Sequence, residues 1–295
     1  MRITRPAWVD DRLFPFTSRF ADVDGHRVHY VDEGRGPTLL LLHGNPTWSF
    51  LYRDLIRSLR SDFRCVALDY PGFGLSQAAS GYRFLPAEHA RVVARFVEFL
   101  DLGPMTVMGQ DWGGPIGLHV AATHRDRLAG LVLANTWAWP VDGVPDLRRF
   151  SRIAGGWAGG VAIRQLNALV NLAIPAGHRR RRLTRAEMDH YRLALATPAA
   201  REASHVFPRE ILGSRDFLHA VAVGLGRLED VPALLVWGDR DVAFGTRELQ
   251  RFERIFPNHH THVLAGAGHY VQEEAPDEIA AAIRRWSGAT AGNRG

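Results

Sequence analysis

The segment Met105–Gly117, MTVMGQDWGGPIG, carries the strongest chemical signal in the chain. An apolar strand runs into Gly109-Gln110-Asp111-Trp112-Gly113, and a helical pattern follows. Glycines two before and two after Asp111 let the backbone turn sharply and hold its side chain at a helix N-terminus. There the helix dipole and free N–H groups favour an anion. A carboxylate is already ionised at neutral pH. It can displace a leaving group from a saturated carbon by backside attack, leaving an ester for water to cleave. A Gly-rich turn with Asp111 as a plain N-cap would look the same over this stretch alone.

Two later segments supply partners. Ala233–Asp241, ALLVWGDRD, is a buried strand ending in an acidic loop, and Leu264–His269, LAGAGH, is a strand and a Gly-containing loop ending in His. The order nucleophile, acid, His is that of α/β-hydrolase triads, with each group just past the carboxyl end of a strand. His269 would take a proton from water, and a carboxylate would hold its other ring nitrogen. Asp239 and Asp241 both compete for that acid role. The resemblance to those triads, which place the acid three residues after a strand-terminal Gly, here Gly238, favours Asp241 and leaves Asp239 as a solvated turn residue. In Leu41–Arg53, LLHGNPTWSFLYR, His43-Gly44 follows a strand. The backbone N–H groups of Asn45 and Trp112 would then form an oxyanion hole. A second Gly-rich loop, Asp69–Ser76, DYPGFGLS, would shape the rim without direct chemistry.

These groups need a scaffold, and the apolar pattern supplies one. Phe20–Val23 and Val28–Val31 flank Asp24-Gly25, a two-residue hairpin signal. Strands are expected at Leu39–Leu42 and Ala233–Trp237, both buried, and at Arg64–Leu68, Thr106–Met108, Leu131–Ala134 and His262–Leu264. Helices are expected at Ser49–Arg60, Glu88–Leu102, Pro115–His124, Arg247–Phe256 and Pro276–Trp286. This alternation implies an α/β fold with a mostly parallel sheet flanked by helices. The rhythm breaks between Trp139 and Gly213, a stretch rich in Arg, Ala and Gly with helical periodicity. It reads as an inserted helical cap over 139–212, with residues 1–138 and 213–295 forming the main domain. The Gly- and Ala-rich tail from Gly288 is expected to fray.

Composition excludes several classes. The chain has 295 residues, 46% hydrophobic and 23% charged, which suits a globular domain with an insertion. All 36 basic residues are Arg, so no P-loop, Schiff-base or kinase lysine exists. The net charge of +5 raises the question of nucleic acid, but the Arg179–Arg182 cluster with Arg185 has no aromatic interleaving and reads as a solvated cap helix. Cys65 is alone, so no intrachain disulfide or Cys-based metal site can form, which fits a reducing, cytoplasmic location. His259, His260 and His262 would straddle a loop and a strand start, with no matching carboxylate spacing, and read as surface residues rather than metal ligands. The N-terminal stretch, with Arg2, Arg5, Pro6, Asp10 and Asp11, lacks a secretory apolar core. Trp157–Ile174 is the most membrane-like stretch, yet Arg164, Asn167 and Asn171 fall on one helical face, which implies an amphipathic helix. Neither nucleic acid nor membrane is expected as a partner.

Through HGNPTWS and GQDWGG, the chain resembles the haloalkane dehalogenases of the α/β-hydrolase fold over nearly its whole length. The resemblance implies hydrolysis of halogenated alkanes to alcohol, halide and proton, through an aspartyl alkyl ester and without cofactor or metal. It also implies that the indole of Trp112 and the amide of Asn45 hold the departing halide. One branch of that family carries its acid at the end of the strand before the cap. Asn135 stands there in LVLANT, which strengthens Asp241 and points to the branch with HGNP and a later acid. Trp137, Trp139, Phe150 and Phe207 could line the pocket near the cap hinge or simply pack the cap. Apolar residues on the cap would allow a homo-oligomer.

Other readings share the fold. Epoxide hydrolases use the same Asp and His but need acids on the epoxide oxygen, typically two cap tyrosines, and the expected cap holds only Tyr191. Fluoroacetate dehalogenases place Arg beside the nucleophile, where Trp112 stands. Coelenterazine luciferases are also similar. Non-catalytic hormone receptors keep the fold for small-molecule binding, generally with a Ser at the elbow, which the Asp111–Trp112 pair argues against.

Overall fold

A computed structural model of the protein describes residues 5–292. Arg2 at the N-terminus and the final tail residues Asn293–Gly295 lie outside the described residues. The chain opens with a hairpin, β1 (Arg19–Val23) and β2 (His26–Glu33), paired antiparallel. Asp24 and Gly25 turn it with φ of 52° and 78°, the double positive φ that a two-residue hairpin needs.

β3 (Thr38–Leu42), a short 3-10 turn at Ser49–Tyr52, α1 (Arg53–Leu59), β4 (Arg64–Leu68) and α2 (Pro86–Phe99) follow. Then come β5 (Met105–Gln110), α3 (Gly113–Thr123) and β6 (Leu128–Ala134). The eight strands lie in the order β1-β2-β4-β3-β5-β6-β7-β8, with β7 (Ala233–Gly238) and β8 (His259–Leu264) last. β2 meets β4 antiparallel, and every pairing from β4 to β8 is parallel.

Strand periodicity divides the core into two layers. Leu40 and Leu42 of β3, Leu131 and Leu133 of β6, and Leu235 and Trp237 of β7 point to one face. Leu39 and Leu41, Val132 and Ala134, and Leu234 and Val236 point to the other. Both faces are buried, which is why these strands are apolar throughout.

Six helices lie between β6 and β7, the first five being α4 (Pro145–Ala154), α5 (Trp157–Leu166), α6 (Ile174–Gly177), α7 (Arg185–Ala194) and α8 (Glu202–Gly213). α9 (Arg215–Gly224) returns to the first layer through Phe217, Leu218 and Val221. α10 (Thr246–Ile255), α11 (Val271–Glu274) and α12 (Pro276–Gly292) complete the chain. α7 begins with a reciprocal cap, in which Thr184 Oγ1 accepts from Glu187 N–H at 3.2 Å and Glu187 Oε2 accepts from Thr184 N–H at 2.7 Å.

Four local expectations are corrected. The amphipathic helix expected over Trp157–Ile174 breaks at Asn167, which takes φ 52° and caps α5, before a π turn at Leu169–Ala173. Asn tolerates the left-handed region, and its buried side chain donates to Leu195 O instead of facing solvent. The tail does not fray at Gly288, since α12 runs to Gly292 and Thr290 Oγ1 donates back to Trp286 O at 3.2 Å. His259, His260 and His262 all lie within β8 rather than across a loop. Arg179–Arg182 form an extended strap between α6 and α7, not a solvated helix, and Arg181 is only one-third exposed. No described helix is long and apolar enough to cross a membrane.

Candidate active site

β5 ends at Gln110, and α3 begins at Gly113. Between them Asp111 sits at φ 51°, a conformation that strains an L residue. The turn is held at both ends. Asp111 N–H donates to Asn135 O at 3.1 Å, and Thr136 Oγ1 donates to Asp111 O at 2.6 Å. Gly113 is required because a Cβ there would run into the Leu42 carbonyl. Gly44 is required for the facing loop, since a Cβ there would collide with Asp111 Cβ. That close approach puts Asn45 N–H 2.9 Å from Asp111 Oδ1.

His269 lies on the loop between β8 and α11. Its Nδ1 is 2.9 Å from Asp241 Oδ2, and its Nε2 is 3.6 Å from Asp111 Oδ2. The structure therefore brings Asp111, His269 and Asp241 together. Asp239 is elsewhere, exposed, accepting from Gly266 N–H at 2.6 Å. Asp241 is itself held by Asn135 Nδ2 at 3.0 Å and by Ala243 N–H at 2.8 Å. Asn135 is fully buried, and it also accepts from Gly238 N–H at 2.8 Å. So Asn135, at the end of the strand before the inserted helices, orients Asp241 from the later strand.

Gln110 is a second group that motif reading passes over. Its Nε2 lies 2.9 Å from His269 Nε2 and donates to His269 O at 3.2 Å. It is the unspecified residue of the elbow, and only its buried amide beside the ring reveals its place.

The electrostatics follow from burial and from this geometry. Desolvation raises the Asp111 pKa above the ordinary carboxylate value, opposed by His269 and by the backbone N–H groups of Trp112 and Asn45. Burial alone would lower the His269 pKa, but Asp241 and then Asp111 raise it to about 9. The imidazolium is thus favoured while both carboxylates are charged.

A cavity of about 280 Å³ opens above Asp111, with Asn45, Trp112 and His269 on its floor. Leu147 and Phe150 of α4, and Ile211 of α8, form its opposite wall. Asn45 Nδ2 donates to Ser204 O at 3.2 Å, using one of its two amide protons. Trp112 meets Trp137 edge-on at 4.7 Å, and Trp137 stacks on Phe244 at 4.6 Å. Of the four aromatics expected near the pocket, Phe150 lines it, while Trp137 and Phe207 back Trp112. Trp139 packs instead against Phe252 and under the Arg251 guanidinium. Tyr191 points away, its hydroxyl donating to Glu273 Oε1 at 2.5 Å.

The loop at Asp69–Ser76 is anchored by a fully buried carboxylate. Asp69 accepts from Ser49 N–H at 2.8 Å and Leu75 N–H at 2.9 Å, and it lies 2.7 Å from His29 Nδ1.

Residues 37–276 match a family model described as the alpha/beta hydrolase fold. The chain is 48% identical over 276 residues to haloalkane dehalogenase 2 of Mycobacterium tuberculosis, spanning 93% of this chain and 96% of that protein. It is 30% identical over 285 residues to cis-3-alkyl-4-alkyloxetan-2-one decarboxylase of Shewanella oneidensis, spanning 94% and 90% respectively. The crystal structure of an ancestral haloalkane dehalogenase superposes with a TM-score of 0.85 at 27% identity, covering 93% of this chain and 99% of that one.

Proposed function

The chain belongs to the haloalkane dehalogenases of the α/β-hydrolase fold and is a hydrolase acting on carbon–halide bonds; from that premise we propose that Asp111, His269 and Asp241 carry the reaction. The observation that carries this reading is the Asp111 carboxyl at the elbow, facing His269 Nε2 at 3.6 Å beneath a largely apolar-walled cavity.

Asp111 attacks the halogen-bearing carbon in line, and the bonding pair leaves with the halide. The second amide proton of Asn45 and the indole N–H of Trp112 meet the charge that develops there. No proton moves in this step, so His269 has no part in it. Once alkylated, Asp111 is neutral and no longer raises the His269 pKa. His269 then gives its proton to solvent and becomes a base for water. Water adds to the Asp111 carbonyl carbon and gives its proton to Nε2. The oxyanion lies against the N–H groups of Asn45 and Trp112, and Asp241 stabilises the imidazolium. Collapse releases the alcohol, which takes the remaining acid proton. Asp111 is again a carboxylate, and His269 keeps the proton taken from water as the imidazolium that the two carboxylates favour.

Residues 139–212 act in this reading as a cap on a main domain of 1–138 and 213–295. Support comes from α4 and α8, which wall the cavity, while α9 returns to the core. The substrate is a small halogenated organic compound, with water as co-substrate and halide as product. The exposed Ile153, Trp157 and Leu166 support self-association, and the lone, buried Cys65 supports a cytoplasmic location.

The test is halide release from short bromo- and iodoalkanes, with an aryl epoxide, a p-nitrophenyl ester and a cis-dialkyl β-lactone alongside. Catalytic bromide release with no epoxide opening is expected. Epoxide opening without bromide would move the chain to the epoxide hydrolases and reduce Asn45 and Trp112 to packing. Binding of a bromoalkane with neither halide release nor a mass adduct on Asp111 would make the chain a small-molecule binder.

A further inference from the structure

The strap of residues 177–181, which joins α6 to α7, is bonded to the loop that carries His269. The His269 backbone N–H donates to Gly177 O at 2.8 Å. The Glu274 carboxylate on α11 accepts from Arg180 N–H at 2.8 Å, and also from the N–H groups of Arg179 and Gly268. One side chain thus ties the residue before His269 to two residues of the inserted segment. Gly177 also packs closely on the side chains of that loop, since a Cβ on it would lie 2.6 Å from Tyr270 Cε2 and 3.4 Å from His269 Cβ. Beneath this contact, Arg181 Nη2 reaches Glu273 Oε2 at 2.7 Å. The arginine cluster therefore faces protein acceptors at the seam between the inserted helices and the catalytic loop.

We propose that Glu274 is a positioning residue for His269. It fixes Gly268 and the 177–181 strap so that the imidazole is aligned on the ester water, and the inserted helices share in building the base. The loop needs such a clamp. Gly266 takes φ 76°, and Gly268 directly precedes His269, so the segment has conformational freedom to lose. A displacement of about 1 Å at a reacting group costs about a hundredfold in rate. The proposal rests on the assignment of Asp111 and His269 above. It carries a signature that a purely structural role lacks, because only the hydrolytic step uses His269.

The experiment is rapid-quench turnover of 1-bromobutane, reading the bromide burst and the alkyl-enzyme by intact mass. Glu274→Gln, Glu274→Ala and Gly177→Ala are compared with wild type and with His269→Phe. Gly177→Ala perturbs the seam from the cap side. The bromide burst rate is expected within about twofold of wild type, with ester hydrolysis slowed about ten- to a hundredfold and adduct accumulating. Glu274→Gln, which keeps one acceptor oxygen, should be milder than Glu274→Ala. Equal slowing of both steps, or adduct in His269→Phe but in none of the three variants, overturns the proposal. Absence of adduct in His269→Phe itself would remove the base assignment, and the proposal with it.

Discussion

Neutralising Asp111 should lower the pKa of His269, and the size of that fall can be worked from the geometry. Asp111 Oδ2 lies 3.6 Å from His269 Nε2. At an effective dielectric constant of about 20, that pair is worth about 5 kcal/mol. Each pH unit corresponds to about 1.4 kcal/mol, so the full interaction would amount to about three pH units. The cavity admits solvent on one side, which screens the pair and brings the expected fall to about two. Asp241 keeps its place 2.9 Å from Nδ1 and continues to support the imidazolium. Asp111→Asn copies the charge of the ester without its bulk. The assay is an NMR titration of labelled histidine in wild type and Asp111→Asn, with intact mass confirming that the amide has not hydrolysed. His269 should titrate near 9 in the wild type and about two pH units lower in the variant. A change under about half a pH unit would refute the reasoning. It would mean that alkylation does not turn His269 into a base, and that Asp241 alone sets its state.

Replacing Asn45 with Leu or Trp112 with Phe removes one donor to the leaving halide, and should raise the alkylation barrier by about 2–4 kcal/mol in single-turnover bromide release; unchanged bursts in both variants would remove the halide site. Asn135→Ala should cost about 1–3 kcal/mol in urea unfolding, because the buried Asp241 loses a donor, and should slow ester hydrolysis more than alkylation. Arg53→Met leaves Glu273 and Glu187 buried beside an apolar chain and should destabilise by about 3–5 kcal/mol; a loss under about 1 kcal/mol would show that Arg181 alone satisfies them. A histidine raised on folding gives stability that is full below 6.5 and lost as pH rises through about 9. The unfolding free energy of wild type relative to Asp241→Asn should therefore shrink across that window, and a growing difference would contradict the sign.

The parts of the site that were legible in the sequence are those where backbone geometry dictates residue type. Gly113 and Gly44 must lack a Cβ because other atoms occupy that space, so the elbow and the HGNP loop show themselves as motifs. The central strands are legible because both faces of the sheet are buried there, and Leu39–Leu42 has nowhere polar to point, whereas the largely exposed edge strand β8 begins three residues before its expected start. What stayed hidden depends on long-range pairing. Asn135 looked like a missing acid, and only the approach of Asp241 from 106 residues downstream gives its amide a purpose. The Arg179–Arg182 run looked solvated because its acceptors, Glu273 and Glu274, lie more than 90 residues away. Asn167 broke a helix whose apolar pattern continued through it, because one residue at positive φ leaves no trace in periodicity.

Arg53 has a further consequence for the order in which the chain is made. Its guanidinium is fully buried against Glu187 and Glu273, which follow 134 and 220 residues later. A charge of this kind stays in water until its counter-charge exists. Until those carboxylates emerge, seating Leu55, Ile56 and Leu59 in the second core layer would bury the Arg53 charge uncompensated. Ile279, Ile283 and Trp286 of α12 complete the same layer and emerge later still. The nascent enzyme thus carries one open apolar face of its sheet almost to the end of synthesis, the face that chaperones would have to guard. A chain stopped before α11 would leave Arg53 without Glu273 and leave that face permanently exposed.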